Sequence, residues 1–289
     1  MGEILYGKPV AAAIWNEVGA GAESLGKRGI QPCLSIIRMG HDQSAVSYEN
    51  SIVSRFQKAG IAVKCSAVSQ NADEEELTEI IQKVNLDESV HGCMILRPLS
   101  QHIDEFRVLE KLEPAKDVDC AGRMSLGGVF SGSGDYFCPC TAEACMNMLD
   151  YYNVPLTGAR VAVIGRSLVV GRPLAMMLQQ RDATVTMCHS KTPDAAKICR
   201  EQDIVISAAG KLRLVDESFT HCRQIVLDVG IDPDKDGSIC GDVDFERVRD
   251  TVKAISPVPG GVGSVTTAVL ARHVVAAAQK SIKKTEENS

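Results

Sequence analysis

The 289 residues carry 45% hydrophobic and 24% charged side chains, an ordinary globular balance in a chain long enough for two domains. A net charge of −6 without a dense basic block, and only 4% aromatic residues, argue against nucleic acid or an anionic membrane as partner. No apolar run reaches the roughly 18–20 residues of a bilayer span, and Met1 to Lys8 has no basic region ahead of a long apolar stretch, so a cytoplasmic protein is expected.

In chain order, Pro32 to Met39 reads as a strand with a turn at Gly40, and Ser44 to Ala59 as a helix closed by Gly60. Ile61 to Val68 is a second strand. Asp73-Glu74-Glu75-Glu76 opens another helix with acids at the positive end of its dipole. Gly92 to Leu96 is a third strand and Gln101 to Leu112 a third helix. Strands alternating with helices of this length imply parallel pairing and a covered sheet.

Pro114 to Thr141, rich in Gly, Ser, Asp and Cys, reads as a long functional loop. The strand–helix rhythm then resumes. Strands are expected at Val161 to Ile164, Thr184 to Cys188, Asp203 to Ala208, Gln224 to Val229 and Val252 to Ile255. A last helix runs from about Ser264 to Ile282, ahead of a polar tail.

Eleven cysteines, an odd number, are scattered through apolar segments such as those of Cys33, Cys65 and Cys93. None has Cys-x-x-Cys spacing, and Cys138 and Cys140 are too close for an ordinary zinc knuckle. No metal site is expected, and the thiols read as buried groups in a reducing compartment.

The most informative stretch is Arg160 to Leu178. An apolar strand meets Gly165, a polar loop follows, and a helix begins after Gly171 with Pro173 in its first turn. Backbone N–H groups and a helix N-terminus facing one point make a phosphate site. The six-residue Gly165 to Gly171 spacing departs from Gly-x-Gly-x-x-Gly, and an ordinary strand-to-helix turn is the alternative. The next strand ends Met187-Cys188-His189-Ser190-Lys191-Thr192, with none of the acid that holds a ribose hydroxyl in NAD sites. Ser190 can donate to a 2′-phosphate and Arg166 or Lys191 can supply charge, so the lean is to NADP over NAD. A turn cap is the other reading of Ser190.

Taken together, several segments resemble the methylenetetrahydrofolate dehydrogenase/methenyltetrahydrofolate cyclohydrolase family. They are Val163 to Ser167 with Val170 to Pro173, Cys188 to Thr192, Pro114 to Asp119, Pro139 to Thr141, and Pro257 to Thr266, in the family's order along nearly the whole chain. The resemblance implies two α/β domains flanking a cleft and a homodimer. It implies a folate-binding catalytic domain over 1–141, completed by a C-terminal helix over 268–289, and a doubly wound, Rossmann-type NADP domain over 142–267. The implied cofactor residues are Gly165, Arg166, Ser167, Gly171, Pro173, His189, Ser190, Gly210, Ile231 and Thr266. Tyr48, Asp119, Pro259, Gly260 and Gly261 are implied at the folate, Asp119 accepting N–H bonds from the pterin ring.

The chain departs from the family at two places. The family has a lysine four residues after its tyrosine, where this chain has Ile52. It also has a Gln-Leu-Pro-Leu-Pro segment whose glutamine partners that lysine, and here Leu96-Arg97-Pro98-Leu99-Ser100 stands instead. Losing the lysine alone would strand a buried amide at a cost of about 1–3 kcal/mol, and replacing both avoids that. Hydride transfer needs positioning more than an acid or base, whereas methenyl hydrolysis needs proton transfer. The expectation is therefore a dehydrogenase with weak or absent cyclohydrolase. The alternatives are a bifunctional enzyme with substitute groups, a non-catalytic folate- or nucleotide-binding relative, or a shikimate-type dehydrogenase. Arg55, on the helical face of Tyr48, reads as a surface charge. Arg97 reads equally as a surface charge or a site residue.

Overall fold

A computed structural model describes residues 2–132, 136–234 and 237–287. Its elements, in chain order, are β1 (Glu3–Ile4), α1 (Gly7–Gly26), β2 (Cys33–Met39), α2 (Gln43–Lys58), β3 (Ala62–Val68), α3 (Glu74–Leu86), β4 (Gly92–Ile95), α4 (Glu105–Leu109), α5 (Arg123–Ser131) and α6 (Cys140–Tyr151). There follow β5 (Arg160–Ile164), α7 (Gly171–Gln179), β6 (Thr184–Cys188), α8 (Ala195–Arg200), β7 (Ile204–Ser207), β8 (Ile225–Asp228), β9 (Asp232–Pro233), β10 (Ile239–Cys240), α9 (Phe245–Val248), β11 (Ala254–Ile255) and α10 (Gly263–Glu287).

The chain divides into two compact units, one of residues 1–12 with 139–266 and the other of 13–138 with 267–289. The first holds a six-stranded sheet of order β1-β11-β8-β7-β5-β6, parallel at every pairing. From β5 the order runs outward in both directions, which creates a switch point where β5 and β7 diverge. β7 and β8 are buried along their whole lengths, because helices cover both faces of such a sheet.

Residues 1–12 correct the boundary expected from the sequence. The two residues of β1 pair with β11 at the edge of this sheet, and Leu5 N–H donates to the Ile255 carbonyl at 2.8 Å. A two-residue strand has no periodicity to read, which is why its partner sheet was not visible in the sequence.

The second unit carries the three-stranded parallel sheet β3-β2-β4. β2 lies at its centre and is buried at all seven positions. One face, through Cys33, Ile37 and Met39, packs on Leu77, Ile81, Val108 and Leu109.

Two expectations are corrected here. The helix over 101–112 shrinks to α4, begun by Asp104, whose carboxylate accepts from Phe106 and Arg107 N–H. The loop over 114–141 contains α5. Asp117 starts it, accepting from Ala121 N–H at 2.8 Å, Gly122 N–H at 2.9 Å and Ser125 Oγ at 2.6 Å. Gly128 sits against the Tyr136 ring, where a Cβ would come within 2.0 Å. Of the two glycines that lower helix propensity here, Gly128 is demanded by packing.

Candidate active site

At the C-terminal end of β5, Gly165 adopts φ +125°, and a Cβ there would lie 2.2 Å from the Ala208 carbonyl. A Cβ on Gly171 would lie 2.2 Å from the Gly165 carbonyl. Only glycine fits either position. Ser167 orders the turn between them, its Oγ accepting from Val170 N–H at 3.1 Å and its carbonyl from Arg172 N–H at 3.0 Å. Pro173 is buried in the first turn of α7, while Arg166 and Ser167 are exposed.

Gly165 N–H donates to the Cys188 carbonyl at 2.9 Å, tying this turn to the end of β6. There His189 and Thr192 close a second turn. Thr192 Oγ1 accepts from His189 N–H at 2.9 Å, Thr192 N–H donates to the His189 carbonyl at 2.8 Å, and His189 Nδ1 accepts from Lys191 N–H at 3.2 Å. The imidazole therefore builds the turn, and Ser190 and Lys191 are left exposed at its tip. With no carboxylate in the turn and Arg166 on the adjoining strand end, these residues fit a phosphorylated ribose.

Two buried aspartates, which the sequence did not single out, shape the remaining loops. Asp242 accepts from Ala209 N–H at 2.6 Å, Lys211 N–H at 2.7 Å and Ser207 Oγ at 2.9 Å, and so carries the Gly210 tip. Asp228 accepts from Gly230 and Asp242 N–H, each at 3.0 Å, and from Val243 N–H at 2.9 Å. Burial, helped by the neighbouring Asp242 charge, pushes the Asp228 carboxyl up to about 7 against the pull of those donors. Ile231, just beyond, is 62% exposed. In the same unit Gly260 has φ +103°, its carbonyl accepts from Gly7 N–H at 2.8 Å, and a Cβ on Gly261 would meet the Pro257 carbonyl at 2.4 Å. Pro259 and Gly260 are exposed, and Thr266 is half-buried on α10.

In the other unit Asp42 caps α2, accepting from Ser44 and Ala45 N–H. Tyr48 is exposed on the first turns of that helix and Ile52, one turn on, is 0% exposed. Leu96, directly after β4, is 8% exposed. Its N–H donates to the Ile37 carbonyl at 2.9 Å, setting it in line beside Arg38.

Arg38 Nε donates to Glu49 Oε2 at 3.0 Å, and its Nη1 to the Gly40 carbonyl. Both side chains are buried. This ion pair was missed in the sequence, although an arginine ending an otherwise apolar strand was a usable signal. Arg55 is exposed, as expected.

The Lys116 to Asp119 block divides its labour. Lys116 Nζ donates to the carbonyls of Val84, Asn85 and Asp87 at 2.7–2.8 Å and so closes the end of α3. Asp117 starts α5. Asp119 is half-buried, and its Oδ2 lies 3.9 Å from Arg97 Nη2. Arg97 Nη1 lies 3.5 Å from Glu105 Oε1. Among the described residues no group of His, Cys, Asp and Glu could hold a metal, and no helix is long and apolar enough to cross a membrane.

A doubly wound parallel sheet with glycine-formed turns at its strand ends, joined in one chain to a second α/β unit, defines a two-domain dinucleotide-binding protein. The known proteins it resembles narrow that class. The chain matches family models for the tetrahydrofolate dehydrogenase/cyclohydrolase catalytic domain over residues 5–119 and for the NAD(P)-binding domain over 139–282. It is 41% identical over 281 residues to the bifunctional protein FolD of Clostridium botulinum, covering 97% of this chain and all of the relative.

Among solved structures it is similar to the bifunctional FolD methylenetetrahydrofolate dehydrogenase/cyclohydrolase of Campylobacter jejuni (TM-score 0.95, 36% identity, 97% and 99% of the two chains). It is also similar to the Trypanosoma brucei enzyme complexed with NADP and an inhibitor (TM-score 0.91, 34% identity, 97% and 98%). The chain belongs to the tetrahydrofolate dehydrogenase/cyclohydrolase family.

Proposed function

We propose that this chain oxidises 5,10-methylenetetrahydrofolate to 5,10-methenyltetrahydrofolate with NADP, and that it hydrolyses the methenyl product weakly or not at all. The observation that carries the second half is the burial of Ile52 at 0% exposure, with apolar Leu96 at 8%. No proton can be given or taken at either position.

The dehydrogenase half asks less of the side chains. NADP, when bound, supplies the hydride acceptor, and the substrate's own nitrogen lone pair stabilises the cation that forms. The chain then has to bind, orient and exclude water. In this reading the turn of Gly165, Arg166 and Ser167 faces the cofactor phosphates. Ser190 donates to the 2′-phosphate, with charge from Arg166 or Lys191. Ile231 and Gly210 border the nicotinamide side, while Tyr48, Asp119 and the Pro259-Gly260-Gly261 backbone receive the folate. Hydrolysis differs, because water must add and its proton must leave, and general acid–base help there is worth about 10²–10⁴-fold.

A homodimer in the cytoplasm completes the proposal. Among the described residues the cysteines form no disulfide and seven of the eleven are buried, which suits a reducing compartment.

Full bifunctionality has one observation in its favour. Glu49, paired with Arg38, lies one helical turn from Ile52 and is the nearest candidate on that helix for a substitute base. One paired assay decides between the readings. NADPH formation with methylenetetrahydrofolate is expected, and its absence would overturn the dehydrogenase. Loss of methenyltetrahydrofolate absorbance is expected at the buffer rate, and a faster loss would establish the bifunctional reading.

A further inference from the structure

Arg97 stands where the family pattern Gln-Leu-Pro-Leu-Pro has leucine, so no family role comes with it. It lies two residues beyond β4, and Asp119 lies two residues beyond Asp117, which bridges Cys93 on the same strand. Both side chains therefore leave the C-terminal edge of one parallel sheet, the edge at which α/β proteins bind ligands. The guanidinium is held between two carboxylates, Glu105 at 3.5 Å and Asp119 at 3.9 Å. Both distances exceed those of a directed N–H···O bond. Charge fixes the group in place without the bidentate geometry that would consume its donors. The side chains of Arg97 and Asp119 are 23% and 18% exposed, so a ligand reaching them would form its bonds in a partly desolvated setting.

With Asp119 accepting from the 2-amino and N3–H groups of the pterin as in the folate reading above, we propose that Arg97 donates to the 4-oxo oxygen of the same edge. This rests on the folate reading above and makes Arg97 a specificity-determining residue within it. The pterin edge presents donor, donor and acceptor on successive atoms. A carboxylate beside a guanidinium presents acceptor, acceptor and donor in the same order, and Arg97 is planar, as the ring is. With Ile52 and Leu96 apolar, neither of those positions can donate to the oxygen. As an internal ion pair alone, a 3.9 Å contact contributes little to stability.

The test uses the whole enzyme and two competitive inhibitors, tetrahydrofolate and its 4-amino-4-deoxy analogue. Wild type favours the 4-oxo compound, because a site built to bond an oxygen rejects an amino group there. Arg97→Leu raises KM for methylenetetrahydrofolate about tenfold and leaves KM for NADP within about twofold, the NADP value reporting an intact fold. It also shrinks the 4-oxo to 4-amino preference several-fold, and Arg97→Lys restores part of it.

An unchanged folate KM in Arg97→Leu overturns the inference. So does a raised KM with an unchanged 4-oxo to 4-amino ratio, which is what a merely structural arginine would give. If wild type itself forms no NADPH with methylenetetrahydrofolate, the underlying function falls. Normal wild-type turnover with an indifferent Arg97→Leu removes only the role of Arg97.

Discussion

The Gly165–Gly171 turn and the Ile52–Leu96 pair answer differently to substitution. In the turn, two carbonyl oxygens stand 2.2 Å from where a Cβ would be, so backbone geometry itself dictates the turn that the proposal assigns to the cofactor phosphates. At the two glycines no side chain can be introduced, because backbone already fills the space. Ile52 and Leu96 are the reverse case. The backbone there meets no such clash, and whether either position can move a proton is decided by its side chain alone. A site made of backbone survives drift or the fold fails with it, whereas a site made of side chains can be removed while the fold stays.

This contrast can be broken most severely at Gly165. Gly165→Ala must move either the turn or the Ala208 carbonyl, and NADP affinity is expected to fall by about 100-fold or more, measured by calorimetry with melting as the check on folding. Replacing Ile52 by Lys together with Leu96 by Gln should leave the fold standing and raise methenyl hydrolysis by about 10²-fold, read from absorbance loss. An inert double variant that still binds folate would show that more than two side chains were lost.

Arg38→Met strands the buried Glu49 carboxylate and should cost about 3–5 kcal/mol in denaturant unfolding, while Arg38→Met with Glu49→Leu stays near wild type. Ser190→Asp sets a carboxylate against the 2′-phosphate, and KM for NADP should rise about 10–100-fold while use of NAD holds or improves.

The smallest effect concerns Asp228. Its carboxyl keeps a proton in the folded state up to about 7, where the unfolded chain has lost it above 3.8. Folded molecules thus bind more protons across that window. Stability should decline as pH rises from about 4 to about 7 and level off above, a slope that Asp228→Asn flattens. Chemical unfolding at several pH values measures both.

The same division explains what could be read from the amino acids. The Val161 to Ile164 strand, the Gly165 turn and the burial of β2 follow from apolar runs and glycines close in sequence, and all were legible. α5 was not, because Gly127 and Gly128 mark a loop by propensity and only the Tyr136 ring explains one of them. Nor did spacing reveal that Arg97 and Asp119 face each other, since a parallel strand and a bridge bring them together. Lys116, Asp117 and Asp119 were visible as one block, yet they close a helix, open another and line a site. Contiguity in sequence said nothing about which residue did which.

The Arg38–Glu49 pair bears on the order in which substitutions can accumulate. Removing either charge alone leaves the other buried and unpaired, and a lysine arriving at residue 52 would sit one turn from Glu49 and compete with Arg38 for it. Each single substitution towards a lysine-bearing site therefore gives a less stable protein, although the two ends of the path can be equally stable. The pair therefore sets a stability cost on any lysine introduced at residue 52, separate from anything the cofactor half requires.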